Sequence, residues 1–167
     1  MDNITLIGMP GSGKSTVGVL LAKALGFQFV DTDLLLQQRR GVLLQDLLDS
    51  LGVEGFLDAE EETVRALTCT KSVIAPGGSV VCRERGMARL RQLGPVVYLR
   101  VPLAELERRI DNITTRGIAM APGQTLGDLY AARAPLYLRY ADVTVDVDAA
   151  TLEQTVAAVL RALGKGR

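Results

Sequence analysis

The residues of this sequence that are best suited to chemistry begin in a glycine-rich stretch near the N-terminus. Residues 8–15 read Gly-Met-Pro-Gly-Ser-Gly-Lys-Ser and fit the pattern G-x-x-x-x-G-K-[ST] at every fixed position. In such a loop the backbone N–H groups converge on phosphate oxygens, the lysine reaches the β- and γ-phosphates, and the last hydroxyl ligates Mg²⁺. The stretch therefore predicts a nucleoside triphosphate site with Lys14 on the phosphates and Ser15 on the metal. The nucleotide is expected to contact Gly11, Ser12, Gly13, Lys14, Ser15 and Thr16.

The segments on either side of this loop are the ones that the motif requires. Residues 4–7 are a short apolar run that predicts a buried strand, and residues 16–25 have a helical pattern that ends at Gly26. This order places the loop at a helix N-terminus, where anions are favoured. The alternative is a glycine-rich turn that binds nothing, but such a turn does not account for the strand before the loop and the helix after it.

Two aspartates follow the second predicted strand, which covers residues 27–30. In the sequence Asp31-Thr32-Asp33, one carboxylate can hold the water shell of the metal, and the other can orient or deprotonate an acceptor hydroxyl. The structural alternative is an N-cap pair, because aspartate is favoured before a helix. The pair Gly77-Gly78 follows a third predicted strand and is either a simple turn or a point where backbone N–H groups approach a substrate.

Composition excludes several functional classes. The 167 residues predict a single domain, and a net charge of zero gives no basic excess for nucleic acid or an anionic membrane. Because the chain has no histidine, a histidine base and a Cys/His zinc site are excluded. Cys69 and Cys82 are expected to be reduced core thiols. No apolar run approaches the ~20 residues of a membrane span, and no leader pattern is present, so we expect a cytoplasmic protein.

Strands and helices alternate along the chain. The remaining strands are predicted at residues 72–75, 96–100 and 143–147. Helices are predicted at residues 34–38, 42–52, 53–68, 84–93, 102–110 and 126–140. A last helix is predicted to start at a capping box formed by Thr151 and Gln154 and to end at Gly164. This order predicts an α/β fold with a five-stranded parallel sheet flanked by helices, and ligands at the carboxyl ends of the strands. Residues 111–125 break the pattern and predict a long loop that is functional or disordered.

The order of these motifs over nearly the whole chain resembles the shikimate kinase family. The resemblance rests on residues 8–16, Phe29-Val30-Asp31-Thr32-Asp33, Gly55-Phe56 with Glu60, Gly77-Gly78, Val97-Tyr98-Leu99, Arg108-Arg109, Arg116 and Arg133-Ala134-Pro135-Leu136-Tyr137. It implies a P-loop fold like that of the nucleoside-monophosphate kinases, formed by one domain over residues 1–167. It also implies an acceptor-binding helical region at about 33–62, a mobile lid at about 111–125, and a monomer that uses ATP and Mg²⁺ to phosphorylate a small molecule.

The resemblance assigns roles on the nucleotide side of the site. Lys14 is expected to be catalytic and to bind ATP, and Ser15 and Asp31 to serve Mg²⁺. Arg116 is expected to be a catalytic lid residue that clamps phosphates, and Arg109 to pack on adenine. Planar, permanently charged arginine suits phosphate. For Arg109, a position on a solvated helix face is the open alternative.

On the acceptor side, Asp33 is expected to bind the reacting hydroxyl and is the best candidate for the base. Gly77 and Gly78 are expected to line the acceptor pocket, and Arg133 to bind the acceptor's carboxylate. A surface salt bridge is the alternative for Arg133. Leu57 also falls in this substrate-binding region, at a position where the family has an arginine.

The acceptor half departs from the family pattern. Besides Leu57, Pro76 replaces the first glycine of a triplet, and Gly117 rather than proline follows the lid arginine. Leucine cannot donate a hydrogen bond, and the loss of one partner from a carboxylate clamp costs on the order of 2–4 kcal/mol. The departure therefore favours a hydroxy carboxylic acid other than shikimate.

A hydroxy amino acid such as homoserine would fit this altered site. Its carboxylate would meet Arg133, and its ammonium would pair with Asp33 or Glu60. Shikimate itself is the first alternative. A nucleotide-binding module without turnover is the second alternative, but such a module is expected to lack Lys14 or Asp33, and both are present. A guanine-binding switch is disfavoured because its Asn-Lys-x-Asp pattern is absent.

Overall fold

The structure is a computed structural model and describes residues 2–110, 117–147 and 151–165. It has a five-stranded sheet formed by β1 (Ile4–Ile7), β2 (Gln28–Asp31), β3 (Ser72–Ala75), β4 (Val96–Arg100) and β5 (Val143–Asp146). The strands are ordered β2-β3-β1-β4-β5, and every neighbouring pair is parallel. The predicted five-stranded parallel sheet is therefore confirmed.

Helices connect the strands. They are α1 (Lys14–Leu25), α2 (Thr32–Arg40), α3 (Leu44–Arg65), α4 (Glu84–Leu93), α5 (Leu103–Arg109), α6 (Leu126–Tyr140) and α7 (Leu152–Ala162), with a short 3₁₀ helix at Gly78–Cys82. The two helices predicted at 42–52 and 53–68 are one element, α3, with a kink at Gly52. Gly52 has φ 71° and ψ 178°, a conformation open to glycine, and the helix resumes directly after it.

The main core lies between the sheet and its helices. Every residue of β1 and β3 is buried, as expected for strands that are covered on both faces. A second, smaller cluster packs α2 and α3 together with the chain after residue 117, and consists of Leu36, Leu47, Phe56, Leu57, Ala59 and Ala119. This second cluster packs the helical segment predicted at about 33–62, whose binding of an acceptor stays a prediction.

The cysteines, the cap of the last helix and the lengths of the helices also bear on predictions from the sequence. Cys69 and Cys82 are free thiols as predicted, but the assignment of Cys82 to the core is wrong, because the 3₁₀ helix that ends there leaves it exposed. Thr151 and Gln154 form the predicted capping box at the start of α7. Of the helices that the described ranges contain, none combines the length and the apolar character that crossing a bilayer would demand.

Candidate active site

A cleft of about 320 Å³ lies where three neighbouring strands end. Because β2, β3 and β1 are adjacent and parallel, the segments that follow them meet at one edge of the sheet. Its lining includes Lys14 and Ser15 of the glycine loop, and also Asp33, Glu60 and Arg133. The cleft is at the small end of the range for ligand pockets, and a few charged groups converge in it, which suits a small polar ligand.

The glycine loop holds Lys14 in place. The Nζ atom of Lys14 donates hydrogen bonds to the carbonyl oxygens of Gly8 (2.8 Å) and Met9 (2.9 Å), and makes a longer contact of 3.5 Å with Oγ of Ser12. Burial lowers the pKa of Lys14 to about 8, against the opposing effect of the nearby Asp33 carboxylate. An anionic ligand in the loop would relieve this desolvation, as expected for a phosphate-binding lysine.

Asp31 caps a helix, which is one of the two roles that the Asp-x-Asp pattern left open, and it also contacts the glycine loop. Its Oδ1 caps α2 by accepting hydrogen bonds from the backbone N–H groups of Asp33 (2.9 Å) and Leu34 (3.2 Å). Its Oδ2 accepts a hydrogen bond of 3.3 Å from Oγ of Ser15, at the start of α1. One side chain therefore ends the strand, starts the helix and contacts the glycine loop.

The oxygen atoms of Ser15 and Asp31 fit a Mg²⁺ ion that is shared with phosphate. Mg²⁺ prefers oxygen ligands and is usually held by one or two protein groups together with substrate phosphates and water. Within the described ranges, no group of three or more His, Cys, Asp or Glu side chains could hold a metal ion by itself. The donor set is therefore suited to a metal that arrives with a nucleotide.

Asp33 and Glu60 bring two carboxylates to the same point of the cleft. A methyl group placed on Gly77 would lie 2.6 Å from Oε2 of Glu60 and 2.8 Å from Oδ1 of Asp33. Burial raises the pKa of Asp33 to about 6, with a further contribution from the charge of Asp31. Burial also raises the pKa of Glu60 to about 7, although a hydrogen bond from Ser79 opposes this shift. The two acids are thus held in a desolvated pair next to a residue without a side chain.

Arg133 is buried in the wall of the cleft, with an exposed fraction of 4%. Its Nη2 donates a 2.9 Å hydrogen bond to the carbonyl oxygen of Ala119. The alternative of a surface salt bridge therefore does not apply to Arg133. A buried guanidinium that faces a cleft is well suited to bind a carboxylate.

Tyr137 contacts the site, although no role there was predicted for it from the sequence. Its hydroxyl donates a 2.6 Å hydrogen bond to the carbonyl oxygen of Gly78, and its ring stacks on Tyr98 with centroids 5.0 Å apart. Tyr137 lies four residues after Arg133, so both are on the same face of α6. This spacing was the available signal that the tyrosine points toward the site.

Leu57 lies beside the cleft and does not line it. It belongs to the second apolar cluster and faces a neighbouring cavity of about 170 Å³, which Arg133 also lines. Phe56 and Glu60, four residues apart on α3, face the cleft. Leu57 is rotated by about 100° from Phe56, as the helix geometry requires. Leu57 therefore lines the smaller cavity that it shares with Arg133, and its contact with an acceptor stays a prediction.

Of the two remaining arginines of the predicted site, Arg109 lies within the described residues and Arg116 does not. Arg109 is next to the glycine loop, where Nη1 donates to the carbonyl oxygen of Gly11 (3.3 Å) and Nε to Oε1 of Glu105 (3.0 Å). Its contact with adenine stays a prediction. Arg116 and residues 111–115 of the predicted lid lie outside the described residues.

Comparisons with known proteins agree with this geometry. The family model for shikimate kinase matches residues 10–164. The chain is 35% identical over 164 residues to a shikimate kinase of Thermodesulfovibrio yellowstonii, covering 96% of this chain and 94% of the relative. It is 38% identical over 168 residues to a shikimate kinase of Pseudomonas paraeruginosa, covering 99% and 98%.

Among solved structures, the shikimate kinase from Acinetobacter baumannii in complex with shikimate matches with a TM-score of 0.90 at 30% identity. The match covers 98% of this chain and 93% of that one. The shikimate kinase from Aquifex aeolicus matches with a TM-score of 0.83 at 28% identity, covering 97% and 96%. The chain therefore belongs to the shikimate kinase family, and it is an ATP- and Mg²⁺-dependent kinase that transfers phosphate to a hydroxyl group.

Proposed function

We propose that this kinase phosphorylates a hydroxyl group of a small hydroxylated carboxylic acid, and that shikimate is the acceptor to test first. The observation that carries the proposal is one cleft that is lined by Lys14, Ser15, Asp33 and Arg133 together. This arrangement provides a phosphate site, a carboxylate for a hydroxyl, and a guanidinium for an acid. The relatives named shikimate kinase support the same acceptor.

On the donor side, the backbone N–H groups of the glycine loop and Lys14 would hold the β- and γ-phosphates of ATP. A bound Mg²⁺, held by Ser15 and by Asp31, would neutralise part of the phosphate charge. The ammonium of Lys14 would exchange its contacts with the Gly8 and Met9 carbonyl oxygens for phosphate oxygens. Phosphoryl transfer depends mainly on such positioning and charge stabilisation.

On the acceptor side, Asp33 would orient the hydroxyl group and take its proton. The hydroxyl oxygen forms a bond to the γ-phosphorus, the bond from that phosphorus to the bridging oxygen breaks, and ADP leaves. A pKa of about 6 makes Asp33 a stronger base than an ordinary carboxylate while it remains ionised near neutral pH. Arg133, oriented by the Ala119 carbonyl, would fix the acceptor's carboxylate.

A hydroxy amino acid such as homoserine is the second candidate acceptor. The observation that favours it is the buried pair of Asp33 and Glu60, because an ammonium group would compensate two desolvated carboxylates. The relatives reported above give this acceptor no support, since they are named shikimate kinases. For this reason shikimate comes first.

An acceptor panel tests the proposal. The purified protein is incubated with ATP, Mg²⁺ and either shikimate, homoserine or a hydroxy acid of similar size, and ADP release and phosphorylated product are both measured. Turnover of shikimate alone supports the first candidate, and turnover of homoserine without shikimate supports the second. The absence of turnover with every hydroxy acid contradicts the proposed function. Arg116 as a phosphate clamp and the monomeric state stay predictions.

A further inference from the structure

A short backbone segment that lines part of the cleft is tied to α3 by a side chain. Residues 117–119, which we call the strap, line the cleft together with Leu44 of α3. The backbone N–H of Gly117 donates a 2.9 Å hydrogen bond to Oε1 of Gln45, a residue 72 positions earlier in the chain. The first residue of the strap is therefore attached to the beginning of α3.

The side-chain amide of Gln45 is oriented for this contact. Its Nε2 donates a 2.8 Å hydrogen bond to Oδ1 of Asp49, which lies one turn further along α3. Because the amide nitrogen is engaged there, the amide oxygen is free to face the N–H of Gly117. Both ends of the Gln45 amide thus have a partner.

The first turn of α3 supports the strap from below. The backbone N–H of Leu44 donates a 3.0 Å hydrogen bond to Oε1 of Gln37, so α2 satisfies one of the free N–H groups at the start of α3. A methyl group placed on Gly117 would lie 2.8 Å from Cβ of Leu44, and the φ of Gly117, 78°, is one that glycine adopts readily. The backbone of the strap therefore lies directly on the helix at the point where Gln45 binds it.

The last residue of the strap is bound to Arg133. Nη2 of Arg133 donates a 2.9 Å hydrogen bond to the carbonyl oxygen of Ala119. Both Arg133 and Ala119 are buried, and Ala119 belongs to the second apolar cluster. Only Ile118 separates the residue that Gln45 holds from the residue that Arg133 holds.

We infer that Gln45 is a positioning residue for Arg133 and that it acts through the strap. By holding Gly117, Gln45 restricts the position of the Ala119 carbonyl, and this carbonyl orients the guanidinium group in the wall of the cleft. The inference rests on the proposed function, in which Arg133 binds the acceptor's carboxylate. It adds to that function a residue of α3 that orients the acceptor's binding partner.

The type of residue at position 117 explains why such a tie is needed. The family pattern has proline at this position, and proline fixes its own φ near −65° but has no N–H to donate. Gly117 has the opposite properties, since its backbone is free to rotate and its N–H can be bound. Gln45 therefore supplies from α3 a restraint that proline would supply within the strap itself.

Gln45→Met tests the inference, because methionine keeps the length of the side chain and removes the hydrogen bond to Gly117. We expect the KM for the acceptor to rise about 3- to 10-fold, which corresponds to one neutral hydrogen bond. The values of kcat and of the KM for ATP should stay within about 2-fold, because Lys14 is held by carbonyl oxygens of the glycine loop. Gln38→Met is the matched control, since Gln38 is an exposed glutamine of α2 and its replacement should have no effect.

A double variant separates the hydrogen bond from simple packing. Gln45→Glu keeps an oxygen for the Gly117 N–H but places a second carboxylate one turn from Asp49, so the acceptor KM should rise. Adding Asp49→Asn supplies an amide that can donate to the new carboxylate, and the acceptor KM should then return to within about 2-fold of wild type. A role of Gln45 in packing alone would not be restored by this exchange.

Hydrogen exchange of the Gly117 amide, followed by NMR, measures the bond without turnover. Its protection should fall about 3- to 10-fold in Gln45→Met, and thermal unfolding shows that the variant is folded. An active wild-type enzyme whose acceptor KM is unchanged in Gln45→Met would overturn the inference and leave the proposed function intact. A fall in kcat with an unchanged acceptor KM would also overturn it, because the bond would then serve the transfer step and not Arg133. A wild-type enzyme that is inactive on the whole acceptor panel would overturn both.

Discussion

The hydroxyl of Tyr137 and the carbonyl oxygen of Gly78 are joined by a 2.6 Å hydrogen bond between residues that are 59 positions apart in the chain. The bond connects α6, which carries Arg133, to the glycine pair after β3. The ring of Tyr137 is fully buried and stacks on Tyr98 of β4. Two walls of the cleft are therefore held at a fixed distance by one side chain.

Tyr137→Phe should keep the stacking and lose this bond. We expect the free energy of unfolding to fall by about 1–2 kcal/mol, and the KM for the acceptor to rise several-fold because Gly78 is less firmly held. Urea unfolding and acceptor kinetics measure the two effects. Tyr140→Phe, on the same helix and partly buried, is the control, and equal losses in both variants would contradict a specific role for the Tyr137 hydroxyl.

Lys14→Ala should abolish most phosphoryl transfer while the fold is retained. A preorganised charge at the transferring phosphate is worth about 10²- to 10³-fold in rate, so we expect a loss of at least that size. The thermal midpoint should change little, because Lys14 is held desolvated in the ligand-free loop. Lys23→Ala removes an exposed lysine from the last turn of the same helix and should have full activity. Turnover close to wild type in Lys14→Ala would refute the assignment.

Two substitutions at Asp31 should separate its capping role from its metal role. Asp31→Asn retains an oxygen for the N–H groups of Asp33 and Leu34 but removes the charge near Ser15. Asp31→Ala removes both, and should lower the free energy of unfolding by about 1 kcal/mol, while the asparagine variant stays within about 0.5 kcal/mol of wild type.

Both variants should need more Mg²⁺ for half-maximal activity. The measurements are chemical unfolding and a Mg²⁺ titration at fixed ATP. If Asp31→Asn has the wild-type Mg²⁺ requirement, then Asp31 is a helix cap only.

Gly77→Ala should block acceptor binding. The new methyl group would lie 2.6 Å from Oε2 of Glu60 and 2.8 Å from Oδ1 of Asp33, so it would push both carboxylates out of their present positions in the cleft. We expect the acceptor KM to rise by about 100-fold or more, with nucleotide affinity retained. Gly127→Ala is the control, because a methyl group there has only ordinary contacts at 3.7 Å. An unaffected acceptor KM would place the acceptor elsewhere.

Stability should depend on pH through Glu60. Its pKa is raised from 4.5 to about 7 by burial, so the native state binds a proton that the unfolded state has released in this window. Stability therefore falls as pH rises from about 4.5 to 7, by up to about 3 kcal/mol. The groups that face Glu60 are Ser79, Asp33, Arg133 and Lys14. Thermal unfolding of wild type and Glu60→Gln should be compared at pH 5 and pH 8. The two proteins should have similar stability at pH 5, and the variant should be the more stable one at pH 8. A stability difference that does not grow with pH would be inconsistent with a buried, charged Glu60.

Local sequence patterns were sufficient to predict the strands of the sheet, the position of the glycine loop before a helix, and the position of Asp31 and Asp33 after a strand. Each of these features depends on residues that are close in sequence. Asp31 shows the limit of such patterns, because they offer a helix cap and a role at the metal as alternatives, whereas the same side chain that caps α2 also contacts Ser15 of the glycine loop. The helix α3 shows a second limit of such patterns. Two helices were predicted on either side of Gly52, but only Gly52 itself departs from helical dihedral angles.

Features that depend on tertiary packing could not be predicted in the same way. The position of Leu57 in a motif does not specify that the rotation of α3 directs Phe56 and Glu60 into the cleft and Leu57 into the neighbouring cavity. That rotation is set by the second apolar cluster, whose members come from distant parts of the chain. The contact of Tyr137 with Gly78 likewise requires the whole sheet between them.

The position of β2 at the edge of the sheet has a consequence for how such kinases diversify. The continuous stretch that follows this edge strand supplies two carboxylates of the cleft, Asp33 and Glu60, whereas the nucleotide loop follows the central strand β1. An edge strand has one neighbour, so replacement of the stretch behind it disturbs one strand pairing. We therefore expect exchange of the block from Leu34 to Glu60, matched by changes at Gly77 and Arg133, to alter the choice of acceptor while the glycine loop and Asp31 are kept.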